Sequence, residues 1–450
     1  MPAGMAQTRS DSPVGQQKKG SNSSIAQLPF ARASKWHLEQ SNTQSSISLL
    51  SNSQVFNYPI ASYGYLSAIL ITVQLTGGLG GSSMTFWEDA PYSLISQIQL
   101  SDVNGVPIYQ LSGFHAYLAA KYGGYRPFGL DGVVKGVPFD SPTTAFIGTP
   151  NQIVGGQTIG TGPGAGGGGG PLASVNSQTN AVYGYGGYFY PPIPGAGGMN
   201  CKFVLPIFLE FGLDGLGCLP NMDASARYNL QITVAGGANT SQVTGPFVVG
   251  GTICTTLPTM SITVEILARS QPPAADMYGN MNSTSPPAVG TVQYWTNQTA
   301  SGLANAQNTI QMTRVGNLIR NHILVWRSST TTLNPRAGAE LADMPSLFEF
   351  DWDTGQRYVA NTSTLRLING YACFGMDMPN GVILLPDTLD PDFLPIGNLG
   401  DEWLGTVGAT KFTLRFSPGA SASGGSLSIL TNDIVPASGQ VYQPPALLYR

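Results

Sequence analysis

Ile98-Gln-Leu-Ser-Asp-Val-Asn-Gly-Val-Pro-Ile108 is the stretch that most clearly indicates local structure. Apolar and polar residues alternate before the turn, which is typical of a strand with one buried face. Three residues are predicted to point to the same side: Ser96, Ile98 and Leu100. Asn104-Gly105 predicts a two-residue hairpin turn of the primed type, because both residues tolerate positive φ. Pro107 fits the start of the returning strand, where a missing N–H is tolerated. The stretch therefore predicts a β-hairpin.

A short helix is predicted directly after this hairpin. Ser112 can cap its first turn by accepting hydrogen bonds from backbone N–H groups, and Gly123-Gly124 can end it. Four residues fall on one face at helical spacing: Phe114, Tyr117, Leu118 and Lys121. We expect this face to pack against the β-structure.

The composition favours an all-β protein. Of 450 residues, 57 are Gly, 33 are Pro and only 10% are charged, against roughly 25% in an ordinary soluble domain. Glycine and proline mark turns, while 42% apolar residues are enough for a folded core. The net charge of −4 gives no basic field for nucleic acid. A surface so poor in charge predicts that copies of the chain or a partner cover much of it.

The cysteines and the N-terminus indicate where the protein is made. Four cysteines lie in apolar strand-like runs without a CxxC pair, which predicts buried, reduced thiols. They are Cys201, Cys218, Cys254 and Cys373. The N-terminus has no apolar core of a signal peptide, and no run approaches the ~20 apolar residues of a membrane span. We therefore expect synthesis in a cytosol, followed by assembly.

Short apolar strands recur in two series, which predicts two β-sandwiches in tandem. The alternation is clearest within 65–76. The glycine run 160–170 cannot hold a regular element, because glycine loses the most entropy on ordering, so we expect a protruding surface loop there. Proline-rich segments at 269–275 and 285–287 indicate a linker. The predicted division is an N-terminal arm at 1–55, a first β-domain at 56–270 with its glycine-rich loop at about 125–200, a linker at 271–288, a second β-domain at 289–435 and a C-terminal tail at 436–450.

No residue set predicts catalysis, a metal site or a cofactor. Three histidines lack metal-ligand spacing and are predicted to be structural or exposed: His37, His115 and His322. The sequence contains no G-x-S-x-G elbow. A formal G-x-G-x-x-G match at 162–167 lies in the glycine run, with no helix after it. Asp387–Asp392 lacks the glycine and distal glutamate of a calcium loop, so turns are the better interpretation there and at 351–355.

Three passages together resemble the double jelly-roll major capsid proteins of tailless icosahedral double-stranded DNA viruses, the tectivirus and adenovirus lineage. The hairpin and helix described above resemble a passage of the first jelly roll in that family. Leu205-Pro-Ile-Phe-Leu-Glu-Phe211, followed by Leu219-Pro220 and Tyr228-Asn-Leu-Gln-Ile232, is similar to two strands near the end of that barrel. Val315-Gly-Asn-Leu-Ile-Arg-Asn-His-Ile-Leu-Val-Trp326 looks like an early strand of the second jelly roll. The glycine run departs from the family's common pattern.

The resemblance implies two tandem eight-stranded jelly-roll barrels with short helices and long glycine-rich loops. It implies a non-enzymatic major capsid protein of a tailless bacteriophage: a homotrimer with a pseudo-hexagonal outline that builds an icosahedral virion shell. Its partners would be its own copies, neighbouring trimers, penton or vertex proteins and minor capsid proteins. The chain would be made in the host cytoplasm and end in the virion, without a cofactor.

The N-terminal arm is polar, so it is either a flexible tail or a segment that orders against a neighbour. In the family it would lie inside the shell, near neighbouring subunits or an internal membrane. Four of its basic residues are candidates for this contact: Lys18, Lys19, Arg32 and Lys35. A coat that contacts its genome needs a strongly basic arm. Five basic and two acidic residues give only +3 up to residue 54, which favours a shell separated from its genome by a membrane or other proteins. We accordingly expect no direct sequence-specific nucleic-acid binding.

A different class of function stays open, namely a secreted or surface β-sandwich that binds carbohydrate or acts as an adhesin. Such a protein shares aromatic, Gly- and Asn-rich loops. It normally carries a secretory signal, and often disulfides, and neither is visible in this sequence. An enzyme ranks last, because no set of acid, base and nucleophile is apparent.

Overall fold

In a computed structural model of the chain, the described residues are 28–49, 52–76, 79–80, 84–86, 89, 92–123, 158–159, 182–184, 187–190, 200–211, 215–236, 248–251, 254–256, 259–327, 344–352, 356–361, 381–386, 404–406, 409, 411–418 and 424–435. Nearly all regular structure among them is β. The helices are α1 (Phe30–Ala33) and α2 (Gly113–Tyr122), and a single 3₁₀ turn covers Tyr92–Leu94.

The strands before the linker are β1 (Trp36–Ser48), β2 (Gln54–Pro59), β3 (Tyr65–Thr76), β4 (Leu79–Gly80), β5 (Met84–Phe86), β6 (Ile95–Ser101), β7 (Pro107–Leu111), β8 (Thr158–Ile159), β9 (Val182–Gly184), β10 (Gly187–Tyr190), β11 (Asn200–Phe208), β12 (Leu219–Pro220), β13 (Asn229–Val234), β14 (Val248–Gly251), β15 (Cys254–Thr256) and β16 (Thr259–Arg269). The strands after it are β17 (Val292–Ala300), β18 (Asn308–Gln311), β19 (Leu318–Arg327), β20 (Leu347–Trp352), β21 (Gln356–Asn361), β22 (Val382–Pro386), β23 (Leu404–Gly405), β24 (Phe412–Phe416) and β25 (Ser426–Val435).

The strands before the linker form a jelly roll of two antiparallel sheets. One sheet has the order β1-β16-β3-β11 and is extended by β10 and β9, while the other has the order β2-β13-β6-β7. Counted along the chain, these eight strands are ordered 1-8-3-6 and 2-7-4-5. Consecutive strands therefore change sheets, except in the β6–β7 hairpin. This alternation makes a closed, two-layered barrel of the jelly-roll type.

The second β-domain repeats the same strand order. Its sheets are β17-β25-β19-β22, with β23 beside β19, and β18-β24-β20-β21. The predicted fold of two tandem eight-stranded jelly rolls is confirmed. The short strands β4, β5, β8, β14 and β15 form two small sheets of their own.

The core of the first barrel is organised around β3, which lies between β16 and β11. Its inward residues alternate as the sequence predicts and are completely buried: Ile69, Ile71, Val73 and Leu75. Apolar side chains from the opposite sheet, among them Ile98 and Leu100 of β6, complete the same cluster.

The two barrels point the same way, which defines two ends of the molecule. At the first end, called the terminal end, β16 finishes at Arg269 opposite the start of β1 at Trp36. The loops after β2 and β6 and the linker lie at this end too. The connections from β3 to β6, from β7 to β11 and from β13 to β16 start and finish at the opposite end, called the loop end. Because β17 runs parallel to β7, β25 finishes at the terminal end, at Val435.

The β6–β7 hairpin is confirmed, but the predicted two-residue turn is wrong. Only Gly105 has a positive φ, of 83°, and the Asp102 N–H donates to the Val106 carbonyl (2.9 Å). Asp102 Oδ1 also accepts from the backbone N–H groups of Asn104 (2.9 Å) and Val106 (2.7 Å). The Asp102 carboxylate thus closes a three-residue loop, Val103–Gly105, in place of a primed turn.

Two neighbouring expectations have different outcomes. Pro107 is the first residue of β7, as predicted. Ser96 is exposed and Ile95 is buried, so the prediction that Ser96 shares the inward side is wrong. A register shift opposite Thr233 and Val234 places a bulge at Ser96, and the bulge turns this side chain to the other face.

Helix α2 is confirmed, with the Ser112 hydroxyl accepting from the His115 N–H (3.2 Å). The expected single apolar face is wrong, because α2 is buried almost all round and packs against β6, β7 and β11. Ala116 and Ala119 are buried beside the larger side chains, while Tyr117 and Lys121 are partly exposed.

Residues 36–48, which the sequence places in the arm, form β1. They pair with β16 from Trp36 opposite Arg269 to Ser48 opposite Thr259. Most side chains of β1 are polar and exposed, so no apolar alternation marks the strand. The barrel therefore begins inside the predicted 1–55 arm. Most of the predicted loop at 125–200 lies outside the described residues, but β9 and β10 from it extend the sheet at β11.

Gly64→Ala is predicted to lower the melting temperature more than Gly105→Ala. Both positions have positive φ, which costs a non-glycine residue about 1–2 kcal/mol. A Cβ at Gly64 would lie 2.2 Å from the Arg269 carbonyl oxygen, whereas a Cβ at Gly105 meets nothing within 4 Å. Differential scanning calorimetry of both variants measures the difference, and equal shifts would contradict the steric explanation.

Candidate functional site

The two barrels meet along a continuous sheet. β7, at the edge of the first barrel, pairs in parallel with β17 through Tyr109 and Trp295. Both side chains are buried. The sheet β2-β13-β6-β7-β17-β25-β19-β22 thus crosses from one barrel to the other and leaves no free edge between them.

The second barrel's sheet is buried on both faces at this junction. Leu324 and Trp326 of β19 pack in the core of the second barrel, whereas Ile323 and Val325 join the core of the first. Leu430 of β25 also packs with the first barrel. This double burial explains why every residue of β19 between its two ends is buried, the polar Arg320, Asn321 and His322 included.

An ion pair closes the junction at the loop end. The Arg327 guanidinium, at the end of β19, contacts the Asp89 carboxylate of the first barrel and lies 6.0 Å from the centre of the Phe114 ring in α2. Only 18% of the Arg327 side chain and 5% of the Asp89 side chain are exposed. Because both charges are largely removed from water, each depends on the other.

His115 of α2 lies beside this ion pair and is itself buried. Burial, together with the positive charge of Arg327, lowers the pKa of His115 to about 3, although the nearby Asp89 carboxylate acts in the opposite direction. The imidazole is therefore neutral at physiological pH.

A polar network crosses the junction nearer the terminal end. The Gln293 side-chain amide donates to the carbonyls of Phe208 (2.6 Å) and Leu209 (2.8 Å), which belong to the first barrel. The Asn432 amide donates to Gln293 Oε1 (3.2 Å), and Arg320 Nη1 donates to Asn432 Oδ1 (2.8 Å). The side chains of Gln293, Asn432 and Arg320 are all buried.

Two further ion pairs, each with a buried carboxylate, stabilise the terminal end. Arg314 binds the buried Asp433 carboxylate through Nε (2.9 Å) and Nη2 (2.6 Å). Arg269 binds Glu210 in the same two-point manner (3.0 and 2.8 Å), and its guanidinium lies 3.6 Å from the centre of the Trp36 ring. These contacts restrict movement at the point where the chain passes into the linker.

This arrangement makes the junction rigid. Sheet pairing, apolar packing and buried polar contacts hold the two barrels in one fixed orientation. Across the described ranges, no group of three or more His, Cys, Asp or Glu side chains is placed to hold a metal ion. Within the same part of the chain, no helix has the length and apolar character needed to cross a membrane.

The structure places two of the four predicted contact residues. Arg32 in α1 and Lys35 just before β1 are exposed at the terminal end, where the Lys35 N–H donates to Ser270 Oγ (2.9 Å). Lys18 and Lys19 lie outside the described residues. Neither exposed residue belongs to the junction between the barrels.

The histidines and Cys218 occupy the structural roles that the sequence predicts. His322 is buried beside Phe350 and Phe412, and His37 is partly exposed and stacks on Tyr63. Cys218 is a buried free thiol with a pKa raised by burial. Nothing is described for the side chains of the other three cysteines: Cys201, Cys254 and Cys373.

The two acidic segments that the sequence predicts to be turns, 351–355 and Asp387–Asp392, have different outcomes. Asp351 lies within β20 and binds Arg415 (3.1 Å), so the predicted turn begins only after Trp352. Strands β20 and β21, which flank this predicted turn, pair with each other, and Trp352 lies opposite Gln356. Asp387–Asp392 lies outside the described residues.

Sequence reasoning missed the charged residues of the junction. Arg320, Arg327 and Asp433 each lie within or at the end of an apolar strand run. A charge in such a run, in a chain with only 10% charged residues, is a signal of a buried ion pair. Their partners could not be identified, because 238 residues separate Arg327 from Asp89.

The fold defines a class of protein, the double jelly-roll proteins. Among solved structures, the chain is similar to the STIV major capsid protein, with a TM-score of 0.53 and 11% identity over 89% of this chain and 97% of that one. It is similar to the PBCV-1 virus capsid, with a TM-score of 0.53 and 13% identity over 89% and 94% of the two chains. A structure of Sulfolobus Turreted Icosahedral Virus gives a TM-score of 0.51 and 10% identity over 89% and 91%.

At these identities the likeness shows a shared fold. No protein-family model matches the sequence, and a search of curated proteins finds no match.

Arg327→Met is predicted to lower the free energy of unfolding by about 3–5 kcal/mol, because it removes the positive charge that compensates the buried Asp89 carboxylate. Arg415→Met is the matched control. The Arg415 and Asp351 side chains are 32% and 17% exposed, so its loss should be about 1 kcal/mol or less. Denaturant unfolding measures both variants. Partial recovery is expected in the double variant Asp89→Asn/Arg327→Met, and equal losses in the two single variants would contradict the prediction.

His115→Leu is predicted to weaken the dependence of stability on pH between about 6.5 and 3. The folded protein holds His115 neutral, with a pKa of about 3, while the unfolded chain binds a proton there near pH 6.5. Wild-type stability should therefore fall on acidification through this window and recover as the pH rises. Unfolding at several pH values measures the slope, with His37→Leu as a control at a partly exposed site. Identical slopes for wild type and His115→Leu would rule out this role.

Proposed function

We propose that this chain is a major capsid protein that assembles as a homotrimer and builds an icosahedral virion shell. The observation that carries the proposal is the locked pair of jelly rolls with a common orientation. Three chains related by a threefold axis then present six similar barrels, which gives a nearly hexagonal building block. The likeness to the STIV major capsid protein over 97% of that chain supports this assignment.

The role is mechanical and non-enzymatic. The buried polar groups at the junction fix the orientation of one barrel relative to the other. A shell subunit requires such a fixed orientation when neighbours contact it on several sides. The low content of charged residues, 10%, suits a surface that is largely covered by other copies. Other partners would be penton or vertex proteins and minor capsid proteins.

The two ends suggest how the subunit is oriented in the shell. The long connections at the loop end would face outward, and the terminal end would face inward. The N-terminal arm would then lie on the inner side, with Lys18, Lys19, Arg32 and Lys35 available to an internal membrane or to neighbouring subunits. Synthesis would take place in the host cytoplasm, before assembly into the virion.

The purified full-length chain is predicted to form a trimer that survives dilution to micromolar concentration. Light scattering should give three times the mass of the 450-residue chain, and electron microscopy should show particles of hexagonal outline that assemble into closed shells. A monomer at micromolar concentration would contradict the proposed function.

A further inference from the structure

The linker carries a rigid hairpin, Asp276–Met281. Ala275 and Met281 pair as an antiparallel bridge, the Asp276 N–H donates to the Asn280 carbonyl (2.9 Å), and the Gly279 N–H donates to the Asp276 carbonyl (3.1 Å). Gly279 has the positive φ, 79°, that the tight turn requires.

The Asp276 carboxylate fixes this turn from within. Its Oδ1 accepts from the backbone N–H groups of Tyr278 and Asn280 (both 2.8 Å), and Oδ2 accepts from the Asn280 side-chain amide (2.8 Å). These bonds pair the backbone N–H groups of Tyr278 and Asn280 and the Asn280 side-chain amide within the hairpin, which lowers the desolvation cost when the tip enters an apolar contact.

The tip exposes two large side chains, and its foot is anchored. Met277 is 88% exposed and Tyr278 is 82% exposed, more than any other large apolar side chain in the described part of the chain. At the foot, the Leu28 N–H donates to the Met281 carbonyl (2.9 Å), and the Ser283 N–H donates to the Leu28 carbonyl (3.0 Å). The tip is therefore a preformed projection from the terminal end.

Exposed apolar side chains are concentrated at this same end. Of eleven large ones among the described residues, nine lie there: Trp36, Leu38, Val103, Val106, Met222, Met277, Tyr278, Met281 and Val289. The other two, Val55 and Leu347, lie at the loop end. Such a concentration at one end indicates a surface that another body covers.

We propose that the Asp276–Met281 hairpin docks, through Met277 and Tyr278, on the apolar residues at the terminal end of a neighbouring copy of this chain. This inference rests on the proposed function. In a shell whose subunits all point the same way, the hairpin of one copy and the terminal-end surface of the next lie at the same depth. Met and Tyr are residue types that interface cores favour.

A lipid surface fits this hairpin less well. A single myristoyl chain gives only marginal membrane binding, and the two side chains at the tip carry less hydrocarbon than that chain. Electrostatic attraction to lipid headgroups does not make up for this weak apolar binding. On the first barrel and the linker, the exposed bases at this end are Arg32, Lys35 and Arg227. They are matched by the exposed acids Glu39 and Asp223 and the partly exposed acids Asp102 and Asp276. A contact between two copies can be weak by itself, because a closed shell repeats it many times and the repeated contacts together stabilise the assembly.

Photo-crosslinking at position 278 tests which body covers the tip. Tyr278 is replaced with p-benzoylphenylalanine, and ¹⁵N-labelled and unlabelled chains are mixed before assembly. In assembled particles we expect crosslinks between copies, from position 278 to peptides that contain Trp36, Val103 or Met222. The same probe at Leu347 is the control and should not reach these peptides. Crosslinks confined to one copy, or none in assembled particles, would overturn the proposal.

The double variant Met277→Ser/Tyr278→Ser gives a second readout. It should keep the wild-type trimer mass and melting temperature but lower the yield of closed shells roughly tenfold, as a loss of about 1.4 kcal/mol would. Val55→Ser/Leu347→Ser is the matched control at the loop end, and its yield should stay near that of wild type. Equal yields of wild type and the hairpin variant would overturn the docking role alone, whereas a wild type that forms neither trimers nor shells would contradict the proposed function. If the hairpin variant instead loses a wild-type affinity for phosphatidylcholine vesicles and still assembles, lipid is the occupant and the inference is wrong.

Discussion

The parallel pairing of β7 with β17 is the constraint on which the rest of the structure depends. Hydrogen-bonded strands have a fixed spacing and direction, so this one pairing sets the position and the orientation of the second barrel relative to the first. The double burial of β19 follows from it, because the second barrel's sheet must cover the first. The existence of two distinct ends follows as well, since both barrels run the same way.

Apolar packing and polar contacts contribute differently at the junction. Burial of side chains such as Ile323 and Val325 supplies the driving force, which grows with the apolar area removed from water. Buried ion pairs add little net stability, because desolvation offsets their attraction. Arg327 with Asp89, and Gln293 with the Phe208 carbonyl, instead penalise any other arrangement, in which these groups would be buried without partners.

The sequence was most informative where local physics determines structure. Alternation in β3, the Ser112 cap and the apolar runs of both series were sufficient to predict two β-domains and the helix. Strand β1 could not be predicted, because most of its side chains are polar and exposed and its backbone ladder with β16 leaves no trace in the sequence pattern. The Arg327–Asp89 pair and the hairpin's place at the terminal end depend on tertiary contacts between residues far apart in sequence. No periodicity carries that information.

The pairing of β1 with β16 also has a consequence for synthesis on the ribosome. Trp36 pairs with Arg269, so β1 emerges long before β16, its partner strand among the described residues, has been translated. A nascent strand without a partner exposes backbone groups that can pair with other chains. Because most side chains of β1 are polar, a segment that waits in this way exposes little apolar surface. The polar character of β1, which made the strand unrecognisable in the sequence, thus suits the order in which the chain is synthesised.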